Sequence, residues 1–136
     1  MRHMNRTRRS AQRCAGTAVV ELALCLPVLV LVLVATLDAC TMFHVQQSMK
    51  IAAYEGTRVG IVPGAEAVNV QFQCETLLDT QGVNGYTITM TPADLSTLSQ
   101  GDFFSVQIDA DFDQNALAGG LYNGKTLTKS VTLRVK

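Results

Sequence analysis

The chain opens on polar and basic residues, then runs from Leu22 to Leu37 without a charge, as LALCLPVLVLVLVATL. Those 16 residues would form a helix of roughly 24 Å, slightly short of a bilayer's hydrocarbon core. Counted from Thr17, the run has 21 residues and reaches roughly 31 Å, enough to span, with Glu21 in its outer turn. Pro27 lacks an amide donor, so the helix is expected to kink or loosen there. After Asp38 the composition changes but the helical period does not. Met42, Val45, Met49, Ala52, Gly56 and Val59 recur at spacings of three and four, while Gln46, Gln47, Lys50, Tyr54 and Arg58 fall mainly off that stripe. Gly60, Pro63 and Gly64, within VGIVPG, then stop the helix. From Thr17 to Gly60 a single helix would have 44 residues and reach roughly 66 Å. A simple anchor has no need of the second half; a protein that packs long helices side by side does.

Past Pro63, the segment AEAVNVQFQCETLLDTQG places Ala67, Val70, Cys74, Leu77 and Leu78 on one helical face and predicts a short helix. Val68, Val70, Phe72 and Cys74 would also suit a strand. Three later segments alternate with period two: YTITM, FFSVQIDADF and SVTLRV. One apolar and one polar face in each predicts antiparallel strands covered on one side only. Gly101-Asp102 and the stretch from Gly119-Gly120 to Asn123-Gly124 supply turns. The 74 residues from Pro63 to Lys136 are few for an independent core, so the sheet is expected to rest on the helices. The fold class is therefore α+β: a long N-terminal helix whose first half is transmembrane, a short helix, and a small antiparallel sheet of about three strands. The divisions are a basic leader at 1–16, a spanning helix at 17–38, its extracytoplasmic extension at 39–62, and a small domain at 63–136.

Charge sharpens this picture. The whole chain is neutral, with 11 basic and 11 acidic residues. Yet Arg2, Arg6, Arg8, Arg9 and Arg13 all precede Thr17 and no acid does, leaving six basic residues against 11 acidic ones beyond. A basic head before an apolar run marks an N-terminus that stays in the cytoplasm, with the rest outside. The same placement outweighs a nucleic-acid reading of the arginines. Cys14, Cys25, Cys40 and Cys74 form no CxxC, and His3 and His44 lie far apart, which argues against structural zinc or a disulfide framework. Cys74 reads as a small buried apolar residue.

A basic leader, Gly16, four residues, Glu21 and an apolar helix together resemble a class III signal, the type IV prepilin pattern. The stretch DACTMFHVQQSMKIAAYEGTRVGIV extends the likeness. With Glu21, Pro27, Asp38, Val45-Gln46-Gln47, Ala52-Ala53, Glu55-Gly56 and Arg58, it is similar to the TadE-like family of minor pilins or pseudopilins of tight adherence (Tad/Flp) pili. This chain has Tyr54 and Thr57 where the family often has Arg and Ala, and Leu22 where an aromatic commonly follows the glutamate. The resemblance is close over roughly residues 13 to 62. It implies a pilin-like fold and cleavage after Gly16 by a membrane prepilin peptidase, which would make Thr17 the mature N-terminus. It also implies a single pass in the bacterial inner membrane, with other pilin subunits and the inner-membrane assembly platform as partners. No cofactor and no metal are called for.

The resemblance further implies that Glu21 meets the α-amine of a neighbouring subunit's Thr17. An α-amine with a reference pKa of about 7.7–8.0 is largely protonated near neutrality. Each charge alone is costly in an apolar bundle, and pairing offsets that cost when geometry is right. Because the charge at Thr17 exists only after cleavage, processing would license assembly. The plainer alternative is a glutamate reaching the head groups beside an uncut signal anchor.

Other patterns carry less. Leu37-Asp38-Ala39-Cys40 has the outline of a lipobox, but Asp38 fits poorly and cleavage there would cut the long helix. Asp109, Asp111 and Asp113 start like a calcium loop but lack its glycine and distal glutamate, so they read as the solvent face of a strand. His44 has no local nucleophile or orienting group, and neither GxSxG nor a phosphate loop occurs, so no enzyme is expected. Two functions remain: a structural minor pilin assembled through Thr17 to Gly60, or an uncut or Cys40-lipidated envelope-anchored binding module. On this reading Met49→Asp and Gly56→Leu should block assembly, and a simple anchor should tolerate both.

Overall fold

The computed structural model describes residues 7–117, 122 and 124–135, with side chains from residue 16 onward. The five N-terminal arginines, His3 and Cys14, and the turn expected at Gly119-Gly120 lie outside the described residues or side chains. The chain is α+β. Helix α1 (Thr7–Gly60) comes first, with Pro27 inside it, and helix α2 (Ala67–Thr80) follows. Strands β1 (Tyr86–Thr91), β2 (Phe103–Asp111) and β3 (Thr126–Arg134) then form one sheet in the order β1-β2-β3. Both pairings are antiparallel, with Ile88 opposite Ile108 and Val106 opposite Val131. The chain divides into a unit that ends at Thr36 and a compact unit that begins at Leu37, so the part of α1 from Leu37 to Gly60 belongs with the sheet.

Within the second unit, one core joins α1, α2 and the inner face of the sheet. Val45, Met49, Ala52 and Ala53 from α1 meet Val70, Cys74 and Leu78 from α2 and Phe104, Val106, Ile108 and Leu127 from the strands. The helical reading of 67–80 prevails over the strand alternative because three residues at i, i+4 and i+8 are fully buried, while Val68 and Phe72 stay exposed. Its end is a glycine cap: Gly82 has φ +70, its amide donates to Asp79 O, and the Val83 amide donates to Leu78 O. The phenol of Tyr86 donates to Asp79 Oδ1 at 2.7 Å, tying β1 to α2.

Two glycines set how closely the elements approach. A Cβ on Gly56 would lie 2.2 Å from Cys74 Sγ, and one on Gly60 would lie 2.2 Å from the Phe104 ring. Gly60 therefore has a packing role as well as ending the helix. β3 starts at Thr126, four residues before the alternating SVTLRV suggested. Lys129 takes an inward position on that strand and interrupts the apolar pattern by which the sequence would reveal it. Phe112 leaves the strand for a short 3-10 turn, Phe112–Gln114, and is still buried.

Candidate functional site

The candidate assembly site lies on α1, and its residues fall in two different environments. From Val19 to Leu33 the large apolar side chains are between 50% and 72% exposed, on every side of the helix. Glu21 stands among them, itself exposed. The stretch is long and apolar enough to cross a membrane. Three residues past Leu33, the Thr36 hydroxyl donates to Leu33 O at 2.7 Å, so it is satisfied within the helix, as an apolar surround requires. Gly16 and Thr17 precede this run on the same helix, and a Cβ on Gly16 would meet nothing within 4 Å.

The predicted packing stripe is also on one face, but it is already occupied. Val45, Met49, Ala52 and Gly56 are buried in the chain's own core, with Met42 and Val59 packed against it. Neighbouring subunits cannot use these side chains without unfolding the domain. Met49→Asp and Gly56→Leu therefore report on folding, and they no longer separate a filament subunit from an anchor. Periodicity finds the stripe but cannot tell an intramolecular partner from an intermolecular one.

Three polar residues of α1 also turn inward, a placement that single-residue polarity does not announce. Asp38 is 1% exposed and Ser48 2%. Thr57 is fully buried, with its hydroxyl 2.6 Å from Ala53 O and 3.3 Å from Val131 O, so it sits where α1 meets β3. His44 Nε2 lies 3.4 Å from Gln81 O, and Ser48 Oγ lies 2.6 Å from Gln81 Oε1, an interfacial setting between α1 and the end of α2. Cys74 is fully buried, and its thiol is pushed up to about 11 by desolvation and then by the nearby Glu75. Its Sγ lies 3.4 Å from Ala52 O. Cys40 is exposed in the middle of α1, two residues after the buried Asp38. Cleavage before Cys40 would take Asp38 out of the core, which counts against the lipobox.

The three aspartates do not share one strand face. Asp109 accepts from Thr128 and Gln107, and Asp111 accepts from Thr126, both on the outer face of β2. Asp113 instead sits in the 3-10 turn and receives the Gly124 amide on both oxygens, at 2.8 and 3.0 Å. Each carboxylate is thus engaged in holding β2, its turn and β3 together. Among the described residues, no group of three or more His, Cys, Asp and Glu side chains could hold a metal ion. An open cleft of about 450 Å³ at the end of α1 includes Glu55, Arg58, Val59 and Val62 in its lining, with Glu55 and Arg58 paired at 3.8 Å.

Comparison with known proteins gives one match. Residues 16–58 match the family model described as TadE-like protein, so this segment, from Gly16 through Arg58, is TadE-like. No curated protein and no solved structure matches the chain.

Proposed function

We propose that this chain, TadE-like over residues 16–58, is a structural minor pilin or pseudopilin that takes part in assembling a Tad-type pilus. The observation that carries the reading is the bare apolar stretch beginning beside Glu21. No residue from Val19 to Leu33 is covered by the rest of the chain, although the segment is apolar all round. At about 25 cal/mol per Å² of apolar surface, leaving such a helix in water would cost many kcal/mol. A bilayer covers it before assembly, and neighbouring subunits cover it afterwards. A carboxylate at its edge then needs a cation, and cleavage after Gly16 creates one at Thr17 of the next subunit.

In this reading the leader stays in the cytoplasm, α1 crosses the inner membrane once, and the unit from Leu37 onward lies outside. A prepilin peptidase removes Met1–Gly16, and the assembly platform and other pilins are the partners. The role is mechanical and calls for no catalytic residue. Intact mass and N-terminal sequencing of the protein from membranes that hold its own processing machinery test this directly. A chain beginning at Thr17 is expected. One that keeps its arginines would return the protein to a plain anchor. Glu21→Gln should insert and be cleaved normally but be lost from sheared filaments or assembly intermediates; normal incorporation would sink the proposed charge pairing.

A further inference from the structure

After Asp38, α1 carries a second set of apolar side chains, and the fold leaves it uncovered. Phe43 is 68% exposed, Ile51 41% and Tyr54 47%, all on the side away from Met49. At about 100° per residue, Gln47, Ile51, Tyr54 and Arg58 fall within roughly 60° of one another, centred opposite Met49. Their spacings, four, three and four, are those of a heptad seam, which selects another helix as partner. Cys40 lies on the same line and is exposed.

The flanks of this seam say which helix. Lys50 borders it on one side and Glu55 on the other, five residues further along. In two parallel helices of the same sequence, that offset brings Lys50 of each beside Glu55 of the other, where flanking charges decide partner and orientation. An antiparallel pair would set like beside like. Glu55 is free for this use, because its bond to Arg58 is a long, exposed i,i+3 contact at 3.8 Å. Gln47 inside the seam adds a polar position that penalises slipped registers.

We infer that the outward face of α1 between Cys40 and Arg58 is the seam of a parallel pair formed with a second copy of this chain. The inference deepens the proposed role by naming a partner. It rests on that reading only in so far as α1 is inserted in one fixed sense, which makes two copies parallel, and it does not require cleavage. The seam is only about five helical turns long, so it acts between chains already concentrated in one membrane.

Oxidative cross-linking of the full chain tests it, in membranes of a host without a prepilin peptidase, so that a failure of the cleavage reading cannot alter the result. Cys14→Ser, Cys25→Ser and Cys74→Ala leave Cys40 as the single thiol. Copper phenanthroline with oxygen then joins two such thiols as one disulfide. The expected product has twice the chain's mass, and it forms about ten times more slowly with Lys50→Glu, since two attractive flanking pairs become repulsive. Adding Glu55→Lys to that variant should restore the rate. Moving the single thiol to the sheet, as Cys40→Ser with Thr89→Cys, should give little dimer. Equal dimer from the Thr89 position, a rate indifferent to Lys50→Glu, no rescue by the double swap, or adducts only with a different protein would each overturn the proposal. Cys40, Lys50 and Thr89 are exposed and Glu55 is half-buried, so these changes spare the core, and Cys74→Ala is common to every variant compared.

Discussion

At the scale of single residues, the contrast between Cys74 and Cys40 shows what burial does to one chemical group. Thiolate is the reactive form, and burial holds the Cys74 thiol protonated well above neutral pH. Its Sγ also fills the space that Gly56 leaves open. A water-soluble maleimide at pH 8 should therefore label Cys40 in native protein and reach Cys74 only after denaturation, as peptide mapping by mass would show. Labelling of Cys74 at the same rate as Cys40 would mean that α2 does not stay packed on α1. Thr57 makes a related point. The family resemblance marks it as a departure from alanine, and the structure puts its hydroxyl at the meeting of α1 with β3.

At the scale of elements, α1 has two faces with two different tasks. The inner face binds α2 and the sheet, with glycines at the closest approaches. Gly60→Val would force the Phe104 ring aside and should cost about 1–3 kcal/mol, read as a lower denaturant midpoint. Met49→Asp should be worse, because it buries a charge without a partner, and should leave the second unit unfolded. Ile51→Asp lies two residues away on the outer face; it should leave the fold intact and abolish the Cys40 cross-link. An unfolding signal from Ile51→Asp as large as that from Met49→Asp would contradict this division. The sheet shows similar two-sidedness. Its outer face is laid mainly with threonine, serine, glutamine and aspartate, with Phe103 exposed at one end, while the inward Lys129 on edge strand β3 discourages strand-to-strand aggregation.

At the scale of the molecule, the folded unit takes in part of the long helix. The sequence divides the chain after residue 38 and again after residue 62, where Pro63 and Gly64 end the helix. The compact unit begins at Leu37, and α1 supplies Val45, Met49, Ala52 and Ala53 to its core. A fragment from Leu37 to Lys136 should show cooperative thermal unfolding by circular dichroism. A fragment from Pro63 to Lys136 should show none, because the sheet's inner face would lose the helix that covers it. A cooperative transition in the shorter fragment would refute that dependence on α1.

The sequence by itself determined the apolar span, the one-sided basic N-terminal run, the Gly16 and Glu21 pattern with its TadE-like continuation and the three alternating strands, while burial of Val70, Cys74 and Leu78 decided for a helix over a strand at 67–80. Those features are local: they depend on the order of residue types along a few turns or a few strand positions. Only the tertiary structure decided that the stripe from Met42 to Val59 faces inward, that Asp38 and Thr57 are buried, and that Gly60 receives Phe104. Helical periodicity specifies which residues share a face, but not what that face meets. Burial is set by contacts between segments far apart in the chain, such as Thr57 with Val131, and no local pattern records them.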